Sequence, residues 1–206
     1  VFSIVIGTYG DEKYWGKLAQ RAKRSAEKQT QQADDIILVH SNTLAMARNI
    51  GASLVKSEWL IFLDADDELD LNYIEAMTAS VQSNKLLQPS TLGVVNGIED
   101  DYPVIIPRKR IIKGNYLVIG TAIPKSLFDA VGGFSEYPVM EDWELFIRCF
   151  LNGADSIEVP DAIYRVHIDR NRESRNSQSR LVQNKTYSDI VKKYRRAFRK
   201  LDSLSF

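Results

Sequence analysis

The sequence predicts an α/β domain built on a mostly parallel sheet with helices on both faces. Three observations predict it. Short, β-branched apolar runs alternate with stretches of helical periodicity through the N-terminal half. Those runs end in Gly, Thr, Ser or Asp, the residues that break or redirect a chain. At 206 residues and 44% hydrophobic, the chain suffices for one sizeable core. Strands and helices in this order pair in parallel, and such sheets bind ligands at the carboxyl ends of their strands.

The elements follow in order. "FSIVIGT" (2–8) is a buried strand stopped by Tyr9-Gly10. Residues 14–31 form a helix with Leu18, Ala22 and Ala26 on one face. "DIILVHS" (35–41) is the second strand. Asn42 or Thr43 caps a helix over 43–56, with Leu44, Ala47 and Leu54 inward. "EWLIFLD" (58–64) is the third strand, and 71–84 is a helix presenting Ile74, Met77 and Val81. Two strands flank an acidic turn within 91–107, and another lies within 109–124. A short helix over 126–131 closes at Gly132-Gly133. A longer helix over 140–153 carries Trp143, Phe146, Ile147, Phe150 and Leu151 and ends at Gly153. A strand near 156–160 precedes a polar loop, "YRVHIDRNRESRNSQSR". The last helix, about 179–199, turns Ile190, Val191, Tyr194 and Phe198 to one side.

Composition narrows the function classes. The formal net charge is zero, yet residues 163–200 hold 12 Lys/Arg against 3 Asp/Glu, so an acidic body carries a basic tail. Such a tail is either a solvated face or a contact for an anionic partner. No nucleic-acid motif or stacking platform accompanies it, so nucleic acid is not expected. The single cysteine, Cys149, cannot close an internal disulfide, which fits a reducing, cytoplasmic setting. No run approaches the roughly 20 apolar residues of a membrane span. The opening "VFSIVIGTYG" reads as a strand and lacks the features of a signal peptide.

The densest chemical signal is "LIFLDADDELD" (60–70), where an apolar strand runs into Asp64, Asp66, Asp67, Glu68 and Asp70. An EF-hand count places acids at positions 1, 3, 5, 7 and 12, but Leu69 stands at the sixth, where Gly is required. Acidic capping of the next helix accounts for Glu68 and Asp70. It leaves Asp64 and Asp66 unexplained. An Asp-x-Asp at a strand end presents hard oxygen ligands to the crevice, suited to Mg²⁺ or Mn²⁺ and a phosphate-bearing ligand.

"FSIVIGTYG", "RAKRSAEKQT", "DDIILVHS", "LAMARNIGASLVKSEWLIFLDADDEL", "VGGF" and "MEDWELFIR", in that order, resemble the inverting GT-A glycosyltransferases of the family-2 type. The resemblance covers about residues 2–167 and implies a GT-A (Rossmann-like) catalytic domain over 1–167. Residues 168–206 are then a basic loop and helix packed on or near it. It implies a metal-dependent inverting transfer from a nucleotide-diphospho-sugar, a UDP-sugar in first place, to an acceptor hydroxyl on a glycan, protein or lipid-linked group. It assigns Asp64-Ala65-Asp66 to the metal and diphosphate, with Asp66 the direct ligand, and His167 as a further metal ligand. Glu141-Asp142 holds the catalytic carboxylate, with Asp142 preferred. Thr8, Tyr9, Arg48, Asn49 and Thr121 belong to the donor site.

The chain departs from the pattern after the second strand, where His40-Ser41-Asn42 stands in place of acids that contact the base. A helix and a strand that usually follow are missing. Ser41 is kept as a donor residue, and Asp11 is placed to compensate. Trp15 is a candidate cleft residue, and Arg165, Arg170 and Arg172 are candidates to fold over the diphosphate.

Each part answers a chemical need. A divalent cation stabilises charge on the leaving diphosphate, and a carboxylate takes the acceptor's proton. Asp142, at a helix start, is expected to have its pKa lowered by the helix dipole unless Glu141 or burial offsets this. Without the family pattern, Glu141 and Asp142 would read as first-turn helix acids. Two rivals stand beside sugar transfer. An aspartyl phosphatase would need its motif after the first strand and a positioned lysine. A catalytically inactive nucleotide-sugar-binding or scaffold protein would be expected to lose one of the acidic motifs, and both persist. The basic helix, with Lys192, Lys193, Arg195, Arg196, Arg199 and Lys200, is expected to make peripheral contact with an anionic membrane or a lipid-phosphate acceptor.

Overall fold

The computed structural model describes residues 1–168 and 179–202, with side chains through residue 199. Its strands are β1 (Phe2–Tyr9), β2 (Asp35–Ser41), β3 (Trp59–Asp64), β4 (Glu68–Leu69), β5 (Lys85–Val95), β6 (Ile98–Glu99), β7 (Ile123–Pro124) and β8 (Asp155–Ile168). Its helices are α1 (Glu12–Glu27), α2 (Leu44–Leu54), α3 (Tyr73–Ala79), α4 (Lys125–Ala130), α5 (Glu141–Leu151) and α6 (Arg180–Asp202). A single 3₁₀ turn spans Ile111–Lys113.

β1 is buried through Thr8 and sits between two parallel partners, β2 and β3. The sheet order is β2-β1-β3-β7, with β7 antiparallel to β3. Register pairs Gly7 with Asp64 and Thr8 with His40, so the three strand ends lie side by side, and those of β1 and β3 open on one crevice while that of β2 does not line it. A second sheet, β4-β8-β5-β6, is parallel only between β5 and β8. Pro89 stands where the β5–β8 register shifts, a place where a missing N–H costs the ladder nothing. A bridge from Leu87 to Ala122 joins the two sheets.

Local chemistry fixes the helices that face the crevice. Asp11 caps α1 by accepting the Tyr14 amide at 2.9 Å, and Ala19, Ala22 and Ala26 form its buried face. Thr43 caps α2 by accepting the Met46 amide at 3.1 Å. The face of α2 on the sheet carries Ala47, Gly51 and Ala52, and its small side chains bring the helix close to β1. A Cβ at Gly51 would meet Val5 Cγ1 at 2.4 Å. Leu54, expected inward, is on the opposite side and 62% exposed, because the small residues take the contact face.

Other expectations change. α3 ends at Ala79, leaving Val81 beyond it and exposed. The strand expected over 109–124 shrinks to β7, because Gly114 at φ 155° and the Asn115 side chain bend the chain first. Asn115 Oδ1 accepts the Leu117 amide. The polar stretch that begins at Tyr164 continues β8 through Ile168, with Tyr164 fully buried. Residues 169–178 of that loop, with Arg170 and Arg172, lie outside the described residues, as does the Lys200 side chain. Glu68 and Asp70 do not act as helix caps. Glu68 approaches Arg21 and His167, while Asp70 pairs with Arg165.

α6 returns to the body and packs on α5. Ile190 is buried and Tyr194 nearly so, and the Tyr187 ring stacks on Trp143 at 5.1 Å with 14° between planes. No helix among the described residues is long and apolar enough to cross a membrane.

The close approach of α2 to β1 yields a test. Gly51→Ala should destabilise the fold by about 1–3 kcal/mol, since backbone or Val5 must shift to admit the methyl. Chemical denaturation checks it, and a midpoint equal to that of the parent would show that α2 is not held at this distance.

Candidate active site

The strand ends of β1 and β3, the start of α5 and the end of β8 enclose a cavity of about 530 Å³. Its walls include Thr8, Tyr9, Arg48, Asp64, Ala65, Asp66, Glu141, Asp142 and His167. Nine of the expected site residues therefore meet in one space, although they come from five separate segments.

At one end, Asp64, Asp66 and Asp67 each turn a carboxylate oxygen to a common point, all within 4.8 Å of one another. The third member, Asp67, carried no expected role. Its signal was present in the same "DADD" run, but a strand's alternation alone does not tell which of two adjacent acids turns inward. Asp67 is buried, and its Oδ1 accepts the His167 amide at 2.8 Å. Burial, and then the nearby Asp64 charge, push its pKa up to about 8. Arg21 donates to the Asp66 carbonyl at 2.5 Å and steadies the turn from outside. Three hard oxygen donors in a crevice of excess negative charge fit a small divalent cation.

Arg48 organises the centre. It is 3% exposed and donates to Asp64 Oδ1 at 2.6 Å and to Glu141 Oε1 at 2.8 Å. Its guanidinium also lies 5.0 Å from the Phe134 ring centroid. The two carboxylates hold its pKa above the ordinary value despite burial. Glu141 is thereby committed to an ion pair, while Asp142, the next residue, faces the cavity.

Asp142 accepts from Asn115 Nδ2 at 3.0 Å and from the Trp143 amide at 2.7 Å. Burial, and then the Glu141 charge, raise its pKa to about 7. This reverses the lowering expected from the helix dipole: desolvation outweighs it. α5 starts without a side-chain cap, from Met140 in the left-handed region at φ 63°, so its first turn is aimed by the loop before it. Asn115 carried no sequence signal as a partner of Asp142.

At the β1 end, Thr8 Oγ1 donates to the Val39 carbonyl at 3.3 Å and lies 3.1 Å from His40 Nδ1. Tyr9 and Trp15 stack with centroids 6.5 Å apart, making an aromatic shelf on the cavity wall.

Four expected donor residues do not line this cavity. Asp11 is the α1 cap and Ser41 ends the edge strand β2. Thr121 is fully buried beneath the wall, where Leu117, Val118 and Ile119 line the space instead. Asn49 binds the Phe134 loop, donating to its carbonyl at 2.9 Å and accepting its amide at 2.8 Å. His167 lines the cavity, with its Nε2 2.6 Å from Glu68 Oε2, and is not one of the three clustered ligands. Arg165 is likewise turned away, paired with Asp70 and Glu99.

Comparison with known proteins agrees with this geometry. The family model for glycosyl transferase family 2 matches residues 17–140. No curated protein matches the chain by sequence. Among solved structures, S. aureus TarS matches with a TM-score of 0.60 at 18% identity, over 81% of this chain and 36% of that one. Its 1–349 fragment in complex with UDP-GlcNAc matches with a TM-score of 0.63 at 19% identity, over 86% of this chain and 61% of that one. The same fragment with UDP gives 0.60 at 17%, over 81% and 60%. At these identities the likeness is one of fold, and the chain spans between about a third and three-fifths of the TarS chains. The matched segment carries the Arg48–Asp64 pair and the whole aspartate cluster and stops one residue short of Glu141, and over that segment the chain belongs to glycosyl transferase family 2.

Proposed function

We propose that the chain transfers a sugar from a nucleotide-diphospho-sugar to an acceptor hydroxyl, with inversion at the anomeric carbon. The observation that carries this is the shared cavity: a three-aspartate cluster and Asp142 line one space, with Arg48 bonded to Asp64 of the first and to Glu141 beside the second. The TarS structures with UDP and UDP-GlcNAc support a UDP-sugar as donor.

Asp64, Asp66 and Asp67 would hold Mg²⁺ or Mn²⁺, which when bound supplies Lewis-acid stabilisation of the leaving diphosphate. The residues of the chain do the rest. The Tyr9–Trp15 shelf offers a face for the nucleobase. Arg48 pairs with one oxygen of Asp64 and with Glu141 and offsets part of the negative charge of the cavity, leaving Asp142 to the acceptor. Asp142 accepts the hydroxyl proton as the acceptor oxygen attacks the face opposite the departing diphosphate, which inverts the centre. The outer face of α6, with Lys192, Arg195, Arg196 and Arg199 exposed, supports contact with an anionic membrane or a phosphate-bearing acceptor.

Two outcomes test the reading. UDP release from a UDP-sugar should require Mn²⁺ or Mg²⁺ and should fall at least about 100-fold in Asp66→Ala, beyond what residues outside a metal's direct ligands usually cost. Hydrolysis of simple phosphate monoesters in place of sugar-nucleotide turnover would point to the phosphatase.

The second outcome is a pH profile. A base works only when deprotonated. With its pKa near 7, Asp142 is mostly protonated at pH 6 and mostly ionised at pH 8. Turnover should therefore rise through an acid limb centred near 7, about tenfold per unit below it. An acid limb near the ordinary carboxylate value would remove Asp142 from the role of base.

A further inference from the structure

The first turn of α5 is held both from the segment that matches the family and from α6 beyond it. Trp143 sits at the centre of that hold. Its amide donates to Asp142 Oδ1 at 2.7 Å, its indole N–H donates to the Ile111 carbonyl at 2.6 Å, and its ring is covered by Tyr187 of α6 in a stacked pair. One residue on, Glu144 is fully buried. It accepts from Arg148 on its own helix at 2.7 Å, and from Lys193 at 3.0 Å and the Tyr194 hydroxyl on α6. A carboxylate with no exposed surface is stable only with such partners, so removing them from α6 leaves it with Arg148 alone.

We propose that α6 sets the pose of the acceptor-activating carboxylate, with Tyr187 as a positioning residue acting on Asp142 through Trp143 and with Lys193 and Tyr194 locking the same helix through Glu144. This rests on the reading of Asp142 as the base. The groups around Asp142 come from each neighbouring element: Glu141 and Trp143 on α5, Arg48 on α2, Asp64 on β3, and Asn115 after the 3₁₀ turn. Tyr187 meets this group through its ring contact with Trp143, so the influence argued for it is mechanical. A 1 Å displacement of a catalytic group is enough to cost about 100-fold in rate.

The test uses Tyr187→Ala and Tyr187→Phe in the full chain. Phe keeps the stacked ring and Ala removes it. In Tyr187→Ala, turnover with acceptor should fall about 10- to 100-fold while the KM for the nucleotide sugar stays within about twofold, and Tyr187→Phe should restore turnover. Amide exchange at Trp143, whose N–H is bonded to Asp142, should quicken in the Ala variant and stay slow in the Phe variant. This readout needs no activity. If Tyr187→Ala keeps both parental turnover and Trp143 protection, the inference is overturned. It is also overturned if the loss appears equally in donor KM and is not rescued by Phe. If exchange responds as expected but the parent transfers no sugar from any nucleotide donor, the hold on Asp142 stands and the reading of the reaction fails.

Discussion

A buried arginine between two carboxylates is the constraint on which the site depends. Arg48 could not be left in the interior alone, because an unpaired buried charge costs several kcal/mol. Asp64 and Glu141 satisfy it from β3 and α5, and in doing so they fix the distance between a strand end and a helix start that lie far apart in sequence. A guanidinium suits this place better than an ammonium: its planar fork reaches two acceptors in different directions while its face rests against Phe134. The packing beneath is arranged for the same end. A Cβ at Gly7 would press on the Arg48 side chain at 3.1 Å, and one at Gly133 would strike Asn49 Oδ1 at 2.6 Å, displacing the loop that carries Phe134.

That one cation divides the acids of the cavity into different jobs. Asp64 and Glu141 are paired with it. Asp67 and Asp142 are desolvated and lie near those same acids, so both have raised pKa values for related reasons. Environments that separate neighbouring carboxyl groups in this way allow one fold to hold a cation and move a proton at the same pH. A divalent ion at the three aspartates would favour the ionised form of Asp67 directly.

The sequence made the strand-end chemistry legible because parallel α/β order forces those ends together. β1, β2 and β3 occur where periodicity places them, and Thr8, Asp64 and Asp66 follow from that. Legibility failed where a residue's job depends on a distant partner. Nothing near Asn49 in sequence indicates that it will cap the Phe134 loop, and nothing near Asn115 indicates Asp142. β8 was misread for a different reason. Past Ala162 its polar residues, with Tyr164 alone buried, look like loop, yet Tyr164 accepts the Asp64 amide at 3.1 Å and helps to anchor the aspartate turn. The helix dipole suggested the wrong direction for Asp142 because its solvation is set by the walls around it rather than by its position in α5.

The family pattern and the working geometry have different limits. The matched segment ends at Met140, before the helix that presents Glu141 and Asp142. Arg48 crosses that limit from one side by pairing with Glu141. α6 crosses it from the other by covering Trp143 and engaging Glu144. The start of α5 is therefore held between an interaction rooted in the family core and one rooted in a C-terminal helix beyond it. A helix in that place can vary in its outward surface without disturbing the donor end, because its inward contacts run to α5 and the 3₁₀ turn rather than to the aspartate cluster. The two faces of α6 are thus separable: the inward one packs on α5 and the 3₁₀ turn, and the outward one leaves Lys192, Arg195, Arg196 and Arg199 exposed.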